Sequence, residues 1–221
     1  MDLDNVEKNY EINSEKVVAL QNFSYFFKKG TFYAITGHSG SGKSTLIRIL
    51  GLIDKMSSGN YLLNGVNIAD LNDFELSRLR MSEIGFVFQD FYLDEYLKAY
   101  ENVMLPMLIN KKIKKEERKE KAIKLLDELG LKSRINHYPK EMSGGEQQRV
   151  AIARSLANDP EYILADEPTG NLDEKNEKNV FEILKEMSKS GKCVIVVSHS
   201  KIVDLYADVL LQLKDGKLVL K

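Results

Sequence analysis

The sequence contains a single cysteine, no tryptophan and only four prolines among 221 residues. The cysteine, Cys193, lies in the apolar run CVIVV, which is typical of a small core residue in a reducing compartment. No apolar run approaches the roughly 20 residues that a membrane-spanning helix needs. The acidic, polar start MDLDNVEKNY does not resemble a signal peptide. These absences predict a soluble protein that reaches a membrane only through a partner.

The charge of the chain is balanced. It has 32 Lys and Arg against 33 Asp and Glu, which argues against a nucleic-acid partner or an anionic membrane surface. With 43% hydrophobic residues, the chain is long enough for one large domain with a sizeable core.

Four short apolar runs predict strands that are buried on both faces of a mainly parallel sheet. The runs are FYAIT (32–36), IGFVF (84–88), YILAD (162–166) and CVIVVS (193–198). Residues 174–189 predict a helix, because Val180, Ile183, Leu184 and Met187 recur at helical spacing and should face the sheet. Asn64-Gly65 and Asp215-Gly216 each indicate a β-hairpin.

The segment from about residue 90 to residue 156 has a helical character. Its charged run, residues 111–130, is typical of a solvated helix with ion pairs at i,i+4 spacing. We therefore predict one domain over residues 1–221. Residues 1–89 and 157–221 would form an α/β core with an antiparallel β part, and residues 90–156 an inserted helical subdomain.

The sequence GHSGSGKS matches the phosphate-binding loop pattern G-x-x-x-x-G-K-[ST] and stands between a predicted strand and an apolar helix, TLIRILGLI. The loop glycines let backbone N–H groups wrap a phosphate. Lys43 would reach the β- and γ-phosphates, and the Ser44 hydroxyl would ligate Mg²⁺. The predicted ATP-binding residues of this loop are Gly37, His38, Ser39, Gly40, Ser41, Gly42, Lys43, Ser44 and Thr45.

Two acids end the predicted strand YILAD. Asp166 is placed to hold the Mg²⁺ shell, and Glu167 follows where an attacking water would lie, so it is the candidate general base. Solvated acids at a strand end are common, but a phosphate-binding loop in the same sheet favours the catalytic interpretation.

Three further residues have two open interpretations each. Gln89 and His199 follow predicted strands, so they are either ordinary loop residues or part of the γ-phosphate site. Tyr10 is either a half-buried strand residue or an aromatic platform for adenine.

A second anion site is indicated by SGGEQQR, residues 143–149. It reads as a small-residue turn followed at once by a helix, whose first N–H groups would be free to bind an anion.

The order of these motifs, followed by NLD and then His199, resembles the ATP-binding cassette (ABC) ATPases over nearly the whole chain. The resemblance implies that two copies bind head to tail and sandwich each ATP between one phosphate-binding loop and the partner's SGGEQ. Ser143, Gly144 and Gly145 would then contact the γ-phosphate, and Glu146 and Gln147 would complete the motif. Tyr10 would stack on adenine, Gln89 would sense Mg²⁺ and water, His199 would hold the γ-phosphate, and Asp173 would cross the dimer interface.

A finer resemblance rests on LADEPTGNLD and ENVMLP. These resemble the subgroup that serves lipoprotein release, macrolide export and antimicrobial-peptide export, together with the related cell-division ATPase. It implies a cytoplasmic ATPase subunit held at the inner face of the membrane by separate permease subunits. Asp94 and Glu95 depart from the subgroup's usual apolar or proline residues, and they either tune the choice of partner or are simply solvated.

The resemblance implies, as the leading function, an ATP-hydrolysing subunit that dimerises on ATP and drives a separate membrane permease, which exports a peptide, a lipoprotein or a drug. The alternative is an ATP-dependent dimerisation switch with little transport. A cassette acting on DNA or ribosomes is disfavoured by the net charge of −1.

Overall fold

The computed structural model describes residues 1–12 and 15–220, so the predicted domain 1–221 is covered except at positions 13, 14 and 221. One of its two sheets is antiparallel. In spatial order its strands are β2 (Glu15–Phe26), β1 (Asp2–Ile12), β4 (Ser58–Leu63) and β5 (Val66–Asn67). Asn64 and Gly65 join β4 to β5 with φ values of 52° and 80°, which are the left-handed conformations of a type I′ hairpin turn.

The second sheet has six strands and carries the four predicted apolar runs. Its spatial order is β10 (Lys217–Leu220), β9 (Val209–Lys214), β3 (Phe32–Thr36), β8 (Cys193–Val197), β7 (Tyr162–Asp166) and β6 (Ile84–Phe88). All neighbours are parallel except β9 and β10, which form the predicted Asp215-Gly216 hairpin. The predicted α/β fold with a mainly parallel sheet and an antiparallel β part is confirmed.

Helices cover both faces of the six-stranded sheet. On one face, α1 (Lys43–Leu50) buries Leu46 and Leu50 in an apolar cluster that α2 (Asp73–Glu83) also joins. On the other face lies α6 (Glu174–Lys189), which has the predicted bounds. It buries Val180 and Leu184, while Ile183 is only partly buried. Cys193 is fully buried in β8, as the sequence predicts.

Three helices follow one another between β6 and β7, namely α3 (Ala99–Leu108), α4 (Lys115–Glu128) and α5 (Gly144–Ser155). They share their own apolar cluster, in which Val103, Leu126 and Val150 are fully buried. In the charged helix α4, Lys124 and Glu128 form an i,i+4 ion pair with a 3.9 Å Nζ–Oε1 distance. No helix of the described residues is long and apolar enough to cross a bilayer.

Two helix boundaries differ from the prediction. Helical structure was expected from about residue 90, but α3 starts at Ala99. The buried Asn102 side chain donates to the carbonyl oxygens of Asp94 and Leu97, so it holds the preceding residues in a loop. The predicted helix TLIRILGLI ends early, at Leu50, because Gly51 follows and Leu52 has a left-handed φ of 56°.

The parallel strands end at one edge of the sheet. In register, Phe88 lies beside Asp166, Asp166 beside Val197, and Ile35 beside Val197. The residues that leave this edge are therefore neighbours, and they include the loop after β3, Gln89, Glu167 and Ser198.

Candidate active site

The loop between β3 and α1 packs against β2 and the β9–β10 hairpin. At Gly42 φ is 100°, and an added Cβ would lie 2.3 Å from the Ala19 carbonyl oxygen, so only glycine fits. The β9–β10 hairpin supports the loop through a hydrogen bond from the Gly216 N–H to the Ser41 carbonyl, 3.0 Å. His38 Nε2 lies 3.2 Å from Asp215 Oδ1. The loop backbone is thus held in one conformation.

Lys43 and the start of α1 give this loop an anion-binding character. The Lys43 side chain is buried, and its ammonium donates to the Gly37 and His38 carbonyls, each at 2.9 Å. Burial lowers the pKa of Lys43, while the carboxylates of Glu167 and Asp166 oppose that shift. The first N–H groups of α1 have no intrahelical acceptor, and their dipoles favour an anion. The Ser41 hydroxyl is fully buried without a hydrogen-bond partner. These groups fit a phosphate.

The acid pair lies at the end of β7, close to Lys43. Burial raises the pKa of Asp166, and so does the Glu167 carboxylate, while Lys43 and Arg48 lower it. Glu167 has a left-handed φ of 48° and is anchored by a 2.9 Å hydrogen bond from its N–H to the Val197 carbonyl. Such a backbone costs about 1–2 kcal/mol, and strain of this kind is often found at functional sites.

The Glu167 side chain has one satisfied and one unsatisfied oxygen. Oε2 accepts from the His199 N–H at 3.1 Å. Oε1 is buried without a hydrogen-bond partner, and His199 Nε2 lies 3.5 Å away, which is too long for a good hydrogen bond. A buried carboxylate oxygen without a donor costs free energy, so this atom is suited to accept a proton from a bound water. The structure thus brings Glu167 and His199 together.

The donors beside the loop also fit a magnesium ion. Mg²⁺ takes oxygen ligands and keeps several waters, so it needs only one or two protein oxygens besides the phosphates. The Ser44 hydroxyl at the start of α1 and the half-buried Asp166 carboxylate supply such oxygens. Across residues 1–12 and 15–220, no cluster of three or more His, Cys, Asp or Glu side chains could hold a metal without the nucleotide.

Gln89 and Tyr10 lie at the margins of this site. Gln89 is exposed beside the loop after β7, where its side-chain amide donates to Asn171 Oδ1 at 3.4 Å and its backbone carbonyl accepts from Asn171 Nδ2 at 3.3 Å. Tyr10 is a half-buried residue of β1, as one of its two interpretations expects, and its hydroxyl donates to Asp54 Oδ2 at 2.8 Å. The Lys8 ammonium lies 4.7 Å from the Tyr10 ring centroid. The catalytic role of Gln89 and the stacking role of Tyr10 stay predictions.

The second anion motif forms the start of α5, as the sequence predicts. Ser143 is the N-cap, and Glu146 returns to it in a capping box. The Ser143 N–H donates to Glu146 Oε2 at 2.8 Å, and the Ser143 hydroxyl lies 3.1 Å from the same oxygen. The other oxygen, Oε1, accepts from Arg134 Nε at 2.7 Å. Arg134 and Ser143 lower the pKa of Glu146 to about 2, so the carboxylate is ionised.

This motif also packs against the start of α6 in the same chain. Asp173 is the N-cap of α6 and accepts from the Asn176 N–H at 2.8 Å. A Cβ on Gly145 would lie 2.2 Å from Asn176 Oδ1, so the two helix starts approach as closely as glycine allows. Gln147 Nε2 donates to the Met142 carbonyl at 3.1 Å.

Three residues of this region were not singled out from the sequence. Gln148 is fully buried and donates to the carbonyls of Phe88 and Pro168, so it ties α5 to the ends of β6 and β7. Arg134 binds the Glu146 carboxylate, and Asn176 binds the Asp173 carboxylate. The available signal was Gln148, two residues before the apolar run VAIA, because a polar residue on a buried face needs partners.

The two anion motifs do not meet within one chain. Among the described residues, no hydrogen bond or ion pair joins residues 143–147 to residues 37–45. The chain thus carries two candidate anion-binding helix starts with no described bond between them.

Comparison with known proteins identifies the family. A family model described as ABC transporter matches residues 20–170. The lipoprotein-releasing system ATP-binding protein LolD of Aquifex aeolicus is 47% identical over 214 residues, which are 97% of this chain and 92% of that protein. The macrolide export ATP-binding/permease protein MacB of Bdellovibrio bacteriovorus is 47% identical over 216 residues, which are 98% of this chain but only 33% of that protein.

A solved structure agrees with the sequence matches. It is a dimeric, post-hydrolysis state of the ATP-binding cassette MJ0796 bound to ADP and Pi, and MJ0796 is a protein of Methanocaldococcus jannaschii. It matches with a TM-score of 0.89 at 42% identity and covers 98% of this chain and 95% of that one. The chain belongs to the ABC transporter family of ATP-binding ATPases.

Proposed function

We propose that this chain is the ATP-hydrolysing subunit of an ABC transporter, that it dimerises head to tail on ATP, and that it drives a separate permease. The observation that carries the proposal is that the phosphate-binding loop and a buried Glu167 oxygen without a hydrogen-bond partner lie at the same edge of the sheet. The geometry of Glu167 and His199 favours turnover over a dimerisation switch without hydrolysis.

The chemistry follows from the positions of these side chains. Lys43 and the N–H groups of α1 bind the β- and γ-phosphates and offset their charge. Glu167 Oε1 accepts the proton of the attacking water, and His199 orients that water and the γ-phosphate. Ser44 and Asp166 would hold Mg²⁺, which when bound neutralises charge on the β- and γ-phosphate oxygens.

The second copy supplies the rest of the site. The start of α5 presents N–H groups and a helix dipole, which suit the γ-phosphate of an ATP held by a partner copy. The dimeric MJ0796 cassette bound to ADP and Pi supports this arrangement. We propose that residues 1–89 and 157–221 form the α/β core and that residues 90–156 form a helical subdomain that carries SGGEQ, because α3, α4 and α5 have their own apolar cluster.

The membrane partner would dock beside the loop that follows β6. Tyr92, Tyr96 and Ile109 are large apolar side chains that are at least 67% exposed there. They suit an amphipathic helix of a permease, which would hold this chain at the inner face of the cell membrane. Asp94 has a structural role, because its Oδ1 accepts from the Tyr96 N–H at 2.9 Å, so Glu95 is the better candidate for partner choice. The names of LolD and MacB support a lipoprotein or a drug as cargo, and a peptide is proposed from the subgroup resemblance alone.

Hydrolysis by the purified protein tests the assignment of the base. Glu167→Gln removes the proton acceptor and keeps the phosphate cradle, so we expect ATP binding to persist. We expect hydrolysis to fall by about 100-fold or more, which is the typical contribution of a general base. Steady-state phosphate release with and without candidate permeases measures it. A variant that hydrolyses ATP at the wild-type rate would show that Glu167 is not the base.

A further inference from the structure

Glu146 places a negative charge where the proposed function brings a phosphate of the partner's ATP. Its pKa of about 2 means that the carboxylate is ionised, and both of its oxygens are engaged within the chain. Oε2 binds the N–H and the hydroxyl of Ser143, while Oε1 binds Arg134. Both carboxylate oxygens are therefore occupied by groups of the same chain, and neither is free to bind a ligand.

The Ser143 hydroxyl is held by the same carboxylate. It has one hydrogen, and the 3.1 Å contact to Glu146 Oε2 uses that hydrogen, while its oxygen accepts from the Glu146 N–H at 3.3 Å. To donate to a phosphate, the hydroxyl must turn its hydrogen away from Glu146. A Glu146 carboxylate whose charge is not neutralised attracts the hydroxyl hydrogen more strongly and so opposes this rotation.

Arg134 lies outside the SGGEQ motif, in the short helical turn Lys132–Arg134. Its Nε is 2.7 Å from Glu146 Oε1, and the two side chains are 39% and 19% exposed. An ion pair that is partly shielded from water is stronger than a fully exposed one. Arg149 lies in α5, where burial lowers its pKa and the Glu146 carboxylate opposes that shift.

We propose that Arg134 is a positioning residue for the proposed ATP-dependent dimer. It neutralises Glu146 and so allows Ser143 and the start of α5 to receive the γ-phosphate of a partner's ATP. This inference rests on the proposed function, because it concerns the site that only two copies complete.

The test measures ATP-dependent dimerisation by light scattering in the Glu167→Gln background, where ATP is retained. Each dimer contains two such sites, so a loss of about fivefold at each site, typical of a pair worth about 1 kcal/mol, becomes about 25-fold in the dimerisation constant. We expect that loss for Arg134→Ala and recovery of most of it for Arg134→Lys. Lys132→Ala is the matched control, because it removes a positive charge two residues away that pairs with Asp127.

A second background separates charge compensation from a general structural effect. Glu146→Gln keeps the capping box but removes the charge. Adding Arg134→Ala to Glu146→Gln should therefore lower the dimerisation constant by no more than about twofold. An equal loss in both backgrounds, or no loss in the first, would overturn the inference. If the parent protein does not dimerise on ATP, either alone or with its permease, the proposed function fails and this inference fails with it. If the parent dimerises and Arg134→Ala matches it, only the inference fails.

Discussion

Substitution of the two adjacent glycines of SGGEQ should have opposite effects on stability. At Gly145 an added Cβ would lie 2.2 Å from Asn176 Oδ1 and 3.2 Å from Asn176 Cβ. At Gly144 the nearest atom is a Leu172 methyl at 3.5 Å, an ordinary contact. Both glycines are in the first turn of α5, so alanine is equally suitable for helix formation at either position. The pair therefore isolates the close approach of α5 to α6.

The expected change in the free energy of unfolding follows from the hydrogen bonds that the Asn176 side chain would lose. Its amide donates to both Asp173 carboxylate oxygens, at 3.0 and 3.1 Å. Moving the amide away loses about two hydrogen bonds, each worth about 1 kcal/mol. Replacing glycine by alanine in a helix returns about 0.5–1 kcal/mol. We expect Gly145→Ala to lower the free energy of unfolding by about 1 kcal/mol and Gly144→Ala to raise it by up to about 1 kcal/mol.

Thermal unfolding of the two variants and the parent measures this difference. For a chain of this size, about 2 kcal/mol between the variants corresponds to about 4–8 °C in Tm. Adding Asn176→Ala to Gly145→Ala removes the clash, so the double variant should lose little more than Asn176→Ala alone. Equal Tm values for the two glycine variants would show that Asn176 does not constrain the start of α5.

Two further predictions concern the same motif. Glu146 has a folded-state pKa of about 2, below its ordinary value of 4.5, so the stability it contributes is present above pH 4.5 and is lost as the pH falls toward 2. The Tm difference between the parent and Glu146→Gln should shrink over that range, and a difference that is constant with pH would contradict the shift. Ser143→Trp should leave ATP binding by the monomer intact and block ATP-dependent dimerisation, because the bulky side chain covers the exposed start of α5. Equilibrium dialysis and light scattering check the two halves, and a variant that dimerises normally would contradict the proposed two-copy site.

Much of the fold could be predicted because its signals are local. The four strands are short apolar runs, and the helix 174–189 follows from the spacing of Val180, Leu184 and Met187. The Ser143 cap and the Glu146 box are likewise contained in four consecutive residues. The helical start near residue 90 was wrong because the Asn102 side chain donates to the carbonyls of Asp94, Leu97 and Lys98 and holds them in a loop, and apolar periodicity does not report hydrogen bonds between a side chain and the backbone.

The candidate site divides in the same way. The phosphate-binding loop and the acid pair could be located because their spacing in sequence matches their chemistry. The contacts that position them could not, since they join distant segments. Arg134 binds Glu146, and Gln148 binds the Pro168 carbonyl. Asn176 excludes a side chain at position 145 only after α5 and α6 have packed together.

ATP-dependent pairing of two copies is tested by the mass of the Glu167→Gln protein, measured by light scattering with and without Mg-ATP. We expect ATP to convert monomers of 25.2 kDa into dimers and ATP removal to reverse the change. Addition of Ser143→Trp should abolish the shift while ATP still binds. A protein that binds ATP yet remains monomeric, both alone and with its permease, would contradict the claim that SGGEQ completes a site on a second copy.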